Sequence, residues 1–107
     1  MVDQNVITIV KEYLRLLAAE GIDIKKAILF GSYAKGTAKK DSDIDLMLVS
    51  SLFDKNNDDC IGRLWRLTKV SNYKIEPIAV GEKRFIEDDI SPIVEIARRE
   101  GIEITVR

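Results

Sequence analysis

The chain has 107 residues, 46% of them hydrophobic, and a formal net charge of −1. That length predicts one domain over residues 1–107 with a single core, and the apolar content is too high for a disordered chain. The charge balance excludes polyanion binding by bulk electrostatics, and the absence of histidine excludes a His-ligated zinc site and a His general base.

Cys60 is the only cysteine, so no internal disulfide can form. This fits a reducing cytosol, with Cys60 as a buried, inert thiol. No run of about twenty apolar residues and no signal-peptide pattern is present. The expectation is a soluble, cytoplasmic protein with no membrane partner. No internal repeat, linker or low-complexity segment is visible.

In chain order, Val6, Ile7, Val10, Leu14 and Leu17 recur at three-to-four spacing, with Tyr13 beside them. They predict a helix over 4–20, capped by Asp3 and ended by Gly21. A strand follows over 26–30. Gly31-Ser32 stands at its exit, where glycine admits close approach to a ligand and serine can open a helical turn whose positive end attracts phosphate. A short turn is expected over 33–35. Lys35, Lys39 and Lys40 lie in the loop beyond; each either neutralises phosphate charge or belongs to a solvated surface.

Asp43 and Asp45 open the next strand. They are two apart, so their side chains share a side of an extended chain while Ile44 takes the other. Leu46 to Val49 then fill both faces, the mark of a strand buried on both sides. Two like charges at the rim of a buried strand call for a cation between them, and oxygen ligands alone suit Mg²⁺ or Mn²⁺. The competing reading is a solvated aspartate pair at a turn.

Residues 50–59 read as a polar loop containing Asn56-Asn57-Asp58-Asp59. A helix over 59–70 is expected to bury Ile61, Leu64, Trp65 and either Leu67 or Thr68, with Trp65 as core rather than a base-stacking platform. Lys74 to Val80 predicts the third strand, with Ile75, Pro77 and Ala79 on one side and Glu76, Ile78 and Val80 on the other. Pro77 points to an edge or bulge. A short acidic helix is expected over 82–89. Ser91-Pro92 starts the last helix, Gly101 ends it, and Ile102 to Val106 alternates like a final strand. Ile93, Val94, Ile96 and Ala97 on that helix suit a partner interface or the core. The order predicts an α/β (α+β) domain with one mixed sheet of three or four strands.

The pattern Gly31-Ser32, ten residues, then Asp43-Ile44-Asp45 resembles the minimal nucleotidyltransferases of the DNA polymerase beta superfamily. Gly36-Thr37 and Ser42 match that family's wording, and the helix–Gly–strand ending is similar. The resemblance implies a palm-like core, nucleotide binding at Gly31, Ser32 and Lys35, and a carboxylate set of Asp43, Asp45 and Glu76 that holds two Mg²⁺ and serves catalysis. Glu76 is the position matching the family's third carboxylate; the bland alternative is an exposed edge residue, and Pro77 beside it could turn it away.

The implied reaction transfers a nucleoside monophosphate from ATP to a hydroxyl. Stand-alone members of this family are commonly antitoxins, which implies AMP transfer to a tyrosine of a helical HEPN-family ribonuclease toxin, within a hetero-oligomer. The short, charge-balanced chain argues against a nucleic-acid substrate. Two alternatives stay open: a catalytically silent module that neutralises a helical partner by covering it, and nucleotidyl transfer to a small molecule or another protein's hydroxyl.

Overall fold

The computed structural model describes residues 3–39, 41–55, 58–87 and 91–106. Helix α1 spans Gln4–Ala19, and its N-cap Asp3 accepts a hydrogen bond from the Asn5 N–H at 2.8 Å. Strand β1 is Lys26–Phe30, the four-residue helix α2 is Ser32–Lys35, and strand β2 is Ile44–Ser50. A 3₁₀ turn at Ser51–Asp54 leads to α3, Asp58–Arg66, and a second 3₁₀ turn follows at Leu67–Ser71. Strand β3 is Ile75–Gly81, α4 is Glu82–Glu87, α5 is Pro92–Glu100, and β4 is Ile102–Ile104.

The four strands form one mixed sheet in the order β3-β2-β1-β4. β1 runs antiparallel to β2, with Phe30 opposite Asp45, and antiparallel to β4. β2 runs parallel to β3, with Asp45 opposite Glu76. A parallel pair needs a long crossover, and α3 with its 3₁₀ extension supplies it. Pro77 lies on β3, an edge strand, where its missing N–H breaks no ladder bond. The expected elements and the mixed sheet are thus present.

Side chains alternate between two cores. On one face Ala27, Leu29, Ile44, Leu46, Leu48 and Ile75 pack with Val10, Tyr13 and Leu17 of α1 and with Cys60 and Leu64 of α3. On the other Ile28, Phe30, Met47, Val49 and Val80 meet Val94 and Ala97 of α5. Ile93 and Ile96 are partly buried against that second core. The apolar stripe of α5 therefore faces inward. Cys60 is buried, and burial pushes its thiol pKa up. Among the described residues no helix is long and apolar enough to cross a membrane.

Trp65 departs from its expected place: it is 50% exposed. The buried residues of this segment are Cys60, Leu64, Thr68 and Ser71, spaced four, four and three apart. The stripe is anchored on Cys60, not Ile61, and a residue next to Leu64 is turned about 100° away from it. The helix also tightens after Arg66, because the hydroxyls of Thr68 and Ser71 donate to the carbonyls of Trp65 and Thr68 at 2.6 and 2.7 Å. The expected acidic helix is present over Glu82–Glu87; residues 88 and 89, like Asn56 and Asn57, lie outside the described residues.

Tyr13 ties the crossover to α1. Its ring is fully buried, and its hydroxyl donates to the Leu64 carbonyl at 2.7 Å. Burial pushes that hydroxyl's pKa far up. Tyr13→Phe is expected to cost about 1 kcal/mol in a urea melt, the worth of one hydrogen bond. Tyr13→Ala is expected to cost about 3–5 kcal/mol through the cavity it leaves. Equal losses would mean that the hydroxyl, not the ring, holds the crossover.

Candidate active site

The site lies where β1 ends and β2 and β3 begin. Gly31 leaves β1 with φ +75°, a left-handed conformation open to glycine at little cost. It caps α2, whose Ala34 and Lys35 N–H groups both donate to the Gly31 carbonyl at 3.1 Å. Gly36 closes the turn, again at φ +75°, and the Thr37 N–H donates back to the Ser32 carbonyl at 3.0 Å. Gly31 and Ser32 are half-buried at the sheet's rim.

The chain then returns through a turn pinned by Ser42. The Lys39 N–H donates to Ser42 Oγ at 2.8 Å, and the Ser42 N–H donates to the Lys39 carbonyl at 3.0 Å. That turn delivers Asp43, and the Ile44 N–H then bonds the Lys74 carbonyl at 2.8 Å, which begins the ladder with β3. Asp43, Asp45 and Glu76 therefore meet on one face. Ile44 goes to the opposite face and is 1% exposed, as the alternation requires.

Asp45 is set against the turn at Gly31 itself. A Cβ built on Gly31 would lie 2.2 Å from Asp45 Oδ2. The carboxylate occupies the space that any other residue at position 31 would fill.

The three carboxyl groups perturb one another. Burial raises the pKa of Asp45, the Asp43 charge raises it further, and a hydrogen bond from Glu76 acts in the opposite direction. Glu76 is raised by burial first, then by the charges of Asp43 and Asp45, and by hydrogen bonds to both. The two aspartates thus make Glu76 harder to ionise, and Asp43 does the same to Asp45. Pro77 does not turn Glu76 away. None of the three carboxylates forms an ion pair among the described residues.

A divalent cation would fit this donor set, since hard oxygen ligands suit Mg²⁺ and the cluster holds like charges with no counter-ion. Among the described residues no group of three or more His, Cys, Asp or Glu side chains stands in a metal-holding arrangement. Mg²⁺ needs only one or two carboxylates beside its waters and phosphates.

Lys35 is exposed, with Nζ 3.6 Å from Glu100 Oε2 at the end of α5. Such a surface pair is worth about 0–1 kcal/mol, so it leaves Lys35 exchangeable. Lys39 is exposed on the loop, and Lys40 lies outside the described residues. A cleft of about 360 Å³ is bounded by Ile22–Lys25 and Val106 at the opposite end of β1, away from the carboxylates. Sequence reasoning missed the Gly31–Asp45 contact, because it joins two motifs that spacing alone presents as neighbours in a list of positions.

Two outcomes test this geometry. Gly36→Ala meets only the left-handed backbone strain of about 1–2 kcal/mol, since nothing lies within 4 Å of a Cβ there. Gly31→Ala adds displacement of Asp45 and is expected to lose at least about 1 kcal/mol more in the same urea melt. The second outcome is a pH dependence. Asp45 and Glu76 bind protons more tightly in the fold than in the unfolded chain. The stability they add is full below the ordinary carboxylate range and is lost as pH rises through their raised folded values. The melting temperature of metal-free protein should fall as pH rises from about 4 to 7, more steeply in wild type than in Asp45→Asn. Equal slopes would reject the coupling.

The sequence model of the nucleotidyltransferase domain matches residues 6–104. A protein of Methanocaldococcus jannaschii named "putative protein adenylyltransferase MJ0604" is 39% identical over 69 residues, covering 63% of this chain and 69% of that protein. A toxin-antitoxin solved with AMP-PNP has a TM-score of 0.62 and 18% identity, over 89% of this chain and 72% of that one. A toxin-antitoxin MntA-HpeT mutant, with two aspartates two positions apart changed to glutamate, has a TM-score of 0.62 and 17% identity, over 88% and 70% of the chains. A "putative nucleotidyltransferase" from Sulfolobus solfataricus has a TM-score of 0.56 and 21% identity, over 91% and 77%. At these identities the solved structures speak to the fold, which is shared. With the family pattern running through nearly its whole length, the chain belongs to the nucleotidyltransferase domain family.

Proposed function

We propose that this chain transfers AMP from ATP to a tyrosine hydroxyl of a HEPN-family helical ribonuclease toxin, and so acts as its antitoxin. The observation that carries the transfer reading is the nest of Asp45 on Gly31, with Asp43 and Glu76 beside it. It puts a candidate phosphate turn and a candidate metal ligand in contact. The relative named for protein adenylyltransferase activity supports a protein acceptor, and the toxin-antitoxin neighbours, one with AMP-PNP, support ATP and a toxin partner.

In this reading Gly31 and Ser32 hold the triphosphate by their backbone, close to the strand end. Lys35 leaves Glu100 to meet phosphate charge. Asp43 and Asp45, with Glu76, would hold Mg²⁺, which would supply charge neutralisation at the α-phosphate and the departing pyrophosphate. The acceptor oxygen attacks the α-phosphorus, the bond to pyrophosphate breaks, and the hydroxyl proton passes to Glu76 or Asp45. The nearby apolar core on the α5 face excludes water from behind the carboxylates.

The test uses ATP labelled on the α-phosphate, Mg²⁺ and a HEPN-type protein as acceptor. Label should move to the acceptor, and Asp45→Asn or Asp43→Asn should lower the rate by at least about 100-fold. Chelation of Mg²⁺ should do the same. If both asparagine variants neutralise the toxin as well as wild type, the chain acts by covering its partner and the transfer reading fails.

A further inference from the structure

The crossover between β2 and β3 carries an exposed ridge that the fold does not use. From Trp65 to Tyr73 the inner side is Thr68 and Ser71, both buried, with Leu67 half-buried. The outer side is Trp65, Arg66, Lys69, Val70 and Tyr73, all exposed. Trp65 is 50% exposed and Tyr73 66%. An aromatic pair with arginine is the composition enriched at protein interfaces.

The ridge is also one-signed. Between Asp59 and Glu76 the chain has no carboxylate and four cations, Arg63, Arg66, Lys69 and Lys74. Arg63 is held by Asp59 at 2.8 Å. Arg66 and Lys69 are exposed and form no ion pair among the described residues. They sit on a chain whose net charge is −1, so this local field opposes the protein's overall balance.

Its far end is built to point outward. Asn72 and Tyr73 have φ of 57° and 64°, a left-handed pair that is rare for a bulky residue such as tyrosine. The bend is fixed from both sides. The Tyr73 N–H donates to the Thr68 carbonyl at 3.1 Å, and the Ile75 N–H donates to Ser71 Oγ at 3.0 Å. Strain held in this way points to a use for the residue it displays. Three residues on is Glu76, within about 10 Å along the chain, so Tyr73 lies near the end of β3 that carries the carboxylate.

We propose that the Trp65–Arg66–Lys69–Val70–Tyr73 ridge is the docking surface for an acidic protein partner, which it holds beside the carboxylates so that the partner's hydroxyl reaches them. This rests on the protein-acceptor reading given above. A protein suits the ridge better than a nucleic acid. Val70 offers an aliphatic contact, and two unpaired cations are few for a phosphate backbone, whose binding gathers many such contacts.

Trp65 is the only tryptophan, so its fluorescence reports the ridge directly. The probe is a glutamate–tyrosine copolymer, titrated against the full chain carrying Asp45→Asn to prevent turnover. A lysine–tyrosine copolymer and a uridine oligonucleotide serve as comparisons. The glutamate copolymer should shift Trp65 emission, and Arg66→Glu with Lys69→Glu should weaken that binding at least about tenfold. About 0.5 M salt should weaken it as well. With Asp45 restored, the same charge reversal should raise KM for labelled AMP transfer to the copolymer about tenfold and leave kcat within about twofold. Melting curves establish that the reversed variant is folded. No shift, a shift indifferent to charge reversal, or a shift produced instead by the oligonucleotide overturns the proposal. Binding that follows the ridge charges without any AMP transfer supports the docking surface and rejects the transfer reading.

Discussion

The contact between the Asp45 carboxylate and the backbone of Gly31 sets the position of everything else at this end of the sheet. It exists because β1 and β2 are paired with Phe30 opposite Asp45. It is possible only because position 31 lacks a Cβ. A slip of one residue along β2 would send Asp45 into the α1 core and bring Ile44 to the rim. The two cores resist that slip, since each face of β2 carries its own set of buried side chains. The apolar residues of β2 thus fix a register whose consequence is polar.

That arrangement holds groups that repel. Asp45 and Glu76 are both harder to ionise in the fold than in water, with burial the leading cause and neighbouring carboxylates adding to it. A cluster of this kind opposes folding and persists because the surrounding scaffold is rigid, a common condition of functional sites. The scaffold here is a sheet covered on both faces, with a polar rim left open at one end.

Much of this was legible in the sequence because its signals are periodic or punctual. Asp3, Ser91-Pro92 and Gly101 stand at helix ends as expected, Asp3 alone capping through its side chain. The alternation in β3 placed Glu76 on the side of Ile78 and Val80, where it is. Trp65 was misplaced for a physical reason. A nine-residue helix offers few repeats, and Cys60 and Ile61 are equally apolar starting points for a stripe. Only contact with Tyr13 and the hydroxyl bonds of Thr68 and Ser71 decide the rotation. The left-handed Tyr73 was equally hidden, because a tyrosine, unlike glycine or asparagine, does not announce positive φ.

The parallel pairing of β2 with β3 has a consequence in time. Asp43 and Asp45 can meet Gly31 through a short antiparallel connection, but Glu76 reaches them only after the whole crossover has folded beneath the sheet. Pairings across long stretches of chain form late, because closure entropy is lost before the contact is gained. During synthesis the first two carboxylates therefore emerge and pair well ahead of the third. The complete cluster, and the tyrosine displayed beside it, mark a chain that has finished its crossover, so the assembly of the site is tied to completion of the fold.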